Sequence, residues 1–441
     1  MLSKGFSDSL KNPDHNSDLL LIGHLDLREA SQDYIAHRKT QGMTVLPIDL
    51  KQIYTEFSQG RVSSKALKDF ILYTVNNWDS RPRYVLILGD ATYDPKNVLN
   101  QTLETDLIPM PMISGLNSDF GSLSWFVTPK GESKSELPIG WIPSSHTSDI
   151  YSYFQKVIDY ENGISSPDID KVKHATFIAG KDELNENFAS KLSLLAKTLT
   201  SAHNQYSSDL LDQATSISNA EAKIQVTNAF AEGPLFLTYY GHGAENMWGR
   251  NIFTNNDASL LSNSKLPIVL ALNCLNAKFY DSKTNLKSFG EKIIFNSEGG
   301  GIVFLGSTTM TAPTTQMNLA TSFYNYLADS TSKGIQDIRL GDIMFKAKSS
   351  QPEDLMSKDT VQSFALIGDP SLRFPVKSFS SSTTKNAKPS APVKNIGGGC
   401  SAFAGEKDKS PYGPWGVWGF LFEILIYIGA AWSLKRIIKC P

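Results

Sequence analysis

The chain is 441 residues long, 41% hydrophobic, 10% aromatic and 20% charged, which excludes a disordered or collagen-like protein and leaves room for two or three ordered domains. Forty-two basic residues against forty-four acidic ones give a formal net charge of -2, so there is no global basic field to grip a phosphate backbone and no nucleic-acid partner is expected. Three cysteines, Cys274, Cys400 and Cys440, are too few and too scattered for a disulfide framework or a C-x-x-C zinc site.

The first eight residues carry charges and turn formers where an export signal would place about 7–15 apolar ones, so no such signal is expected there. From about residue 18 to 375, apolar runs alternate with amphipathic stretches, the pattern of an α/β fold with a mostly parallel sheet. A first unit, over 18–145, is predicted to run strand (19–22), helix (27–41), strand (44–49), helix (64–77) and strand (84–88), then a Pro-, Gly- and Ser-rich connector over 91–145. A second unit, over 146–375, is predicted to hold a strand at 174–180 and helices near 187–203 and 219–231. Its central strands fall at 235–240 and 268–273, followed by a helix around 289–296 and a strand at 301–306.

Residues 376–410 read as a flexible tether, rich in Ser, Pro and Gly, that contains Gly397-Gly-Gly-Cys400. In the final segment, 411–441, Trp415 to Leu434 form a twenty-residue apolar run with Glu423 as its only charge, about the length of a bilayer span. Lys435, Arg436 and Lys439 follow, which predicts a transmembrane helix with its basic end in the cytoplasm and the bulk of the protein outside. A buried C-terminal helix is the competing reading, kept open by the cost of Glu423 in lipid. Glycines with a cysteine, a hydrophobic helix and basic residues together resemble the C-terminal sorting signals of bacterial surface proteins. That resemblance implies a sorting protease as partner, processing or lipidation at Cys400, and a membrane-anchored protein at the cell surface or facing the periplasm. A linker cysteine without a role is the plainer alternative.

In open parallel sheets, ligands bind beyond the carboxyl ends of the strands. Two predicted strand ends carry reactive side chains there: Tyr240-Gly-His242-Gly243 and Asn273-Cys274-Leu-Asn276. A cysteine and a histidine at one sheet edge are the minimal apparatus for nucleophilic acyl transfer, the thiolate attacking a carbonyl carbon while an imidazole of unperturbed pKa ~6.5 moves the proton. Gly243 has no Cβ, so its N–H can approach a substrate and, with the N–H of Cys274, hold an oxyanion. A buried cysteine is more often a small hydrophobe and a G-H-G more often a turn, so the pair alone does not decide the matter.

The wider context does. The stretches 237–248, 265–276 and 364–372, together with 84–94 and 137–143, resemble in the right order the gingipain-like family of caspase-fold cysteine peptidases, over roughly residues 18–375. The resemblance implies a caspase-like three-layer αβα fold with a mostly parallel sheet, preceded by a smaller related α/β subdomain. It also implies His242 and Cys274 as the catalytic pair and protein or peptide substrates. An acidic residue after the preceding strand would support the imidazole. Asp182 is the candidate, with Glu183 as substitute and a helix-capping acid as the competing reading. Leu272, on the same side of its strand as Cys274, and Ser307-Thr308 are candidates for the substrate pocket, although plain core is the commoner role for such a leucine. No organic cofactor is implied. Related enzymes bind structural Ca²⁺, but no D-x-D-x-D-G loop supports it here. Two departures stand out: Ala277, where the family commonly has glycine, is expected to crowd the turn behind the nucleophile. Trp141, where the family commonly has arginine, is expected to remove an ion pair.

Two other classes compete. A metal-dependent phosphoesterase is suggested by His24, Asp26, Asp90, Asp94 and Gly241-His242, but it needs those groups to converge and they fall on different predicted strands. Asp90 and Asp94 read better as turn formers. An inactive surface-tethered binding module would keep the fold without chemistry, and retention of both His242 and Cys274 argues against it. The sequence is therefore read as a cysteine endopeptidase tethered at the outer side of a bacterial membrane.

Overall fold

The computed structural model describes residues 8–99, 107–163, 174–181, 186–202, 207–212, 218–280, 287–333, 335 and 337–373. Ten strands form its main sheet: β1 (Leu19–Gly23), β2 (Val45–Asp49), β3 (Tyr84–Leu88), β4 (Ile139–Ile142), β5 (His174–Ala179), β6 (Ser207–Asp212), β7 (Phe236–Tyr240), β8 (Ile268–Leu272), β9 (Val303–Ser307) and β10 (Phe364–Ile367). Their order across the sheet is β6-β5-β7-β8-β9-β10-β4-β3-β1-β2. The runs LLLIG, YVLIL, FLTYY, IVLAL and VFLGS of β1, β3, β7, β8 and β9 are buried at every position, as strands covered on both faces must be.

Strands β6, β5, β7, β8 and β9 are mutually parallel, and so are β4, β3, β1 and β2. β10 lies between the two sets, antiparallel to β9 and joined to β4 through a single bridge between Ile367 and Trp141. The mixed α/β sheet thus runs through both of the units expected from the sequence.

Among the described residues, twelve α-helices connect the strands: α1 (Leu25–Glu29), α2 (Gln32–Thr40), α3 (Leu50–Ser58), α4 (Ser64–Asn77), α5 (Thr147–Gly163), α6 (Phe188–Ala202), α7 (Asn219–Glu232), α8 (Asn255–Ser259), α9 (Phe289–Phe295), α10 (Pro313–Ser332), α11 (Leu340–Ser349) and α12 (Leu355–Ser363). They pack in two groups. α10 touches α6, α11 and α12, while α5 touches α1, α2 and α9. Parallel strands require such crossovers, and their fixed hand assigns helices to one face or the other. Asp149 at the start of α5 lies 3.9 Å from Lys287, just before α9, and Lys156, further along α5, donates to the carbonyls of Ile294, Asn296 and Gly299 at the far end of α9. The two helices therefore run side by side in the same sense.

Several elements differ from expectation for local reasons. The helix predicted over 27–41 is broken into α1 and α2, with the Ser31 hydroxyl donating back to Leu27 O at 2.7 Å. α3 begins directly at the end of β2, with Asp49 as its cap, so no turn residue announces it. Trp141 makes no ion pair. Its buried indole donates to Gly89 O at 2.7 Å and packs beside Phe126 and Phe279, so a hydrogen bond and aromatic packing hold this position. The stretch after β10 is tied to α2 and α5 by a buried polar latch. Arg38 donates to Glu161 at 2.6 Å and to Asp369, and Tyr34 donates to Asp369 at 2.8 Å.

The tether, Cys400 and the apolar run at 415–434 lie outside the described residues. Among the described residues, no helix is long and apolar enough to cross a membrane.

Candidate active site

β7 and β8 are neighbours, and their register pairs Tyr240 with Leu272. His242 and Cys274 each stand two residues beyond that pair, so the loops that carry them leave the sheet side by side. The first loop is held close by a hydrogen bond from Gly241 N to Leu272 O at 3.2 Å. The space is narrow: a Cβ on Gly241 would sit 2.6 Å from the Tyr239 hydroxyl and 2.9 Å from Gly180 Cα, so only glycine fits.

His242 is exposed. Its carbonyl accepts from the Tyr239 hydroxyl and from Gly249 N, each at 2.7 Å. Its ring stands edge-on to Phe188, at 5.6 Å between centroids. Phe188 is itself buried at the start of α6 and edge-on to Tyr240. Gly243 opens a small antiparallel sheet formed by Gly243–Ala244, Met247–Trp248 and Phe253–Thr254.

Cys274 is partly exposed, and its thiol faces Thr311 O at 3.8 Å. Burial pushes the thiol above its usual range, with the contact to Thr311 opposing. A thiol so placed favours its protonated form, so it would need a base to take its proton before it could attack. Leu275, the next residue, adopts a left-handed backbone with φ 66°, a conformation costly for a side chain with a Cβ. Leu275 N donates to Thr309 O and Ala277 N to Ser307 O, fastening the Cys274 loop to the end of β9. Ala277 is buried outside the left-handed region, so the turn accommodates its methyl group.

The remaining candidates are found as follows. Leu272 is fully buried within β8, and Ser307 and Thr308 are buried at the end of β9. The Ser307 hydroxyl donates to Thr309 O, and that of Thr308 donates to Gly121 O. Asp182 and Glu183 lie outside the described residues. Gly180, which precedes them, donates to Tyr240 O at 2.8 Å. The rival metal set does not come together: β7 is third and β3 eighth across the sheet, five steps of about 4.8 Å, roughly 24 Å in all. Among the described residues, no three His, Cys, Asp or Glu side chains are grouped to hold a metal ion.

Sequence reasoning did not single out two buried amides, Asn273 and Asn276. Asn273 donates to Asn276 Oδ1 at 2.5 Å, and Asn276 in turn donates to Ala244 O and, at 3.2 Å, to Met247 O. The available signal was the placement of two polar residues around a cysteine at the end of an apolar strand, since buried amides must find partners.

Comparisons with known proteins bear on the family and the fold. The model of peptidase family C25 matches residues 12–375. The crystal structure of the Arg-specific cysteine proteinase gingipain R (RgpB) superposes with a TM-score of 0.66 at 18% identity, covering 82% of this chain and 79% of that one. The complex of the pro- and mature domains of RgpB from Porphyromonas gingivalis gives 0.65 at 18% identity, covering 82% and 80%. No curated protein matches the sequence. With a caspase-like α/β fold and a family match over most of its length, the chain belongs to peptidase family C25 and is a cysteine-type peptidase.

Proposed function

We propose that the protein is an endopeptidase in which Cys274 is the nucleophile and His242 the general acid/base. The observation that carries this reading is the shared β7–β8 register, which sends a cysteine and a histidine out of neighbouring strands by the same two-residue step. In the proposed reaction the Cys274 sulfur forms a bond to the scissile carbonyl carbon while its proton passes to His242. The oxygen, now an oxyanion, accepts from the N–H groups of Gly243 and Cys274. The C–N bond then breaks, the amine leaves with the proton from His242, and water hydrolyses the thioester. The upward push of burial on the Cys274 thiol supports assigning a base to the histidine rather than a standing thiolate.

Asp182 is proposed to orient the imidazole, and the reading takes protein or peptide chains as substrates without an organic cofactor. RgpB is named for cleavage at arginine. Nothing here transfers that preference to this chain, because Leu272, Ser307 and Thr308 are buried. The apolar run at 415–434 and the basic residues after it support a membrane-tethered, outward-facing enzyme.

The test is Cys274→Ala. Wild-type protein is expected to cleave a mixed peptide library and to label with a peptide carrying a thiol-reactive electrophile. The variant should lose both, with cleavage reduced at least about a thousandfold. Cleavage that survives the substitution, or that chelators abolish and thiol alkylation spares, would overturn the assignment.

A further inference from the structure

The two loops that carry the reacting groups come from different crossovers, and an oxyanion hole shared between them works only if their N–H groups keep a fixed spacing. The amide pair is built across that gap. Asn276 is fully buried, and its Nδ2 faces two carbonyls, those of Ala244 and Met247. These residues are paired opposite each other in the small sheet that begins at Gly243, so one amide closes the turn between them. Because Nδ2 is committed to those carbonyls, Oδ1 must accept, and it accepts from Asn273 Nδ2 at 2.5 Å. That orientation of both amides follows from the network. The Asn273 amide also lies close to Gly243: a Cβ there would come within 2.2 Å of Asn273 Nδ2. The buried Asn273 Oδ1 has no hydrogen-bond partner among the described residues.

We propose that Asn273 and Asn276 together are positioning residues for acylation, clamping the histidine loop to the nucleophile loop so that the N–H groups of Gly243 and Cys274 reach the same carbonyl oxygen. The proposal rests on the peptidase reading above. Removing the clamp leaves Cys274 and His242 in place but lets one oxyanion donor drift, and a misplacement of about 1 Å can cost on the order of a hundredfold in rate. The loss should therefore appear in reactions that develop charge on a carbonyl oxygen and not in those that only need the thiol.

The test uses the full chain with Asn276→Asp, which keeps the size of the side chain but turns an oxygen toward the Ala244 and Met247 carbonyls, and with Asn273→Ala, which removes one hydrogen bond and leaves Asn276 holding the turn. On a peptide substrate, kcat is expected to fall roughly ten- to hundredfold with KM within about twofold. Affinity for a peptide aldehyde, whose carbonyl oxygen occupies the same hole after sulfur addition, should fall by a similar factor. Alkylation of Cys274 by iodoacetamide, which builds no oxyanion, should stay within about twofold of wild type. If Asn276→Asp no longer melts cooperatively, Asn273→Ala carries the comparison. Unchanged kcat and aldehyde affinity, or alkylation that slows in step with kcat, would overturn the proposal. Wild-type protein with no Cys274-dependent cleavage and no aldehyde binding would instead remove the peptidase reading, and the clamp with it.

Discussion

Two buried polar clusters in this protein are built in opposite ways. The latch that joins α2, α5 and the segment after β10 is made of full charges, and each is paired: Arg38 bonds Glu161, Asp369 and the Tyr34 hydroxyl, while Glu161 also accepts from His37, Gln41 and Arg373 N. The cluster at the Cys274 edge is made of neutral amides and leaves one acceptor without a partner among the described residues, beside a residue in a left-handed conformation and an exposed histidine. Charges buried together hold only if every one is satisfied. Neutral amides fix geometry without imposing a strong field on a site whose own charges must appear and vanish during a reaction. The difference separates what closes the core from what would serve the proposed chemistry, and it is open to measurement.

The sharpest break is Arg38→Met, which keeps most of the side chain's length but strands Glu161 and Asp369 in the interior. Uncompensated buried charges cost about 3–5 kcal/mol, so denaturant melts should show a loss of that order. Activity per folded molecule should change little, because the latch contributes no group to the Cys274 loop. A stability change below about 1 kcal/mol would mean that the latch behaves like a surface ion pair.

Acid should divide the two regions by sign. Burial alone would raise the Glu161 carboxyl, but His37, Arg38 and Arg373 N outweigh it and hold it at about 2. The unfolded chain then binds more protons between pH 4.5 and 2. The stabilisation from Glu161, about 3 kcal/mol, is present above that window and lost as pH falls through it. Glu291 in α9, whose neighbour Gly290 donates to Asn276 O, behaves the other way. Burial pushes it up to about 8, with Lys287 partly opposing, so its cost to stability grows as pH rises from 4.5 to 8. Melting temperatures of wild type and Glu291→Gln should therefore diverge between pH 5 and pH 8, the variant gaining. Parallel curves would refute the buried, neutral state of this carboxyl.

Much of the sheet was legible because buried parallel strands are continuous apolar runs: β1, β3, β7, β8 and β9 all fall within a residue or two of expectation. The polar edge strand β6, Ser207–Asp212, was not, since only its pairing with β5 makes it a strand. β4 was hidden in the Pro- and Gly-rich connector, where its four residues gain their place from neighbours on either side. At the site, the positions of Cys274 and His242 could be read because each follows an apolar run. The amides could not, because Asn276 acts on carbonyls some thirty residues away along the chain. Local pattern carries no information about such a partner.

The smallest expected effect tests whether the Cys274 edge stores strain. Leu275 holds φ 66°, and its N–H and carbonyl are both engaged, with Thr309 O and Lys278 N. Glycine adopts this conformation freely, so Leu275→Gly relieves about 1–2 kcal/mol of backbone strain while giving back part of it through the added freedom of the unfolded chain. The net gain should be no more than about 1 kcal/mol in a denaturant melt. Activity should move the other way, by a few-fold at most, because a looser residue after Cys274, the proposed nucleophile, would weaken the registration proposed for the amides. A loss of stability on introducing glycine would mean that packing of the leucine side chain, rather than the hydrogen bonds of its backbone, keeps the loop in place, and the contrast between a charge-closed core and a strained, neutral catalytic edge would lose half its support.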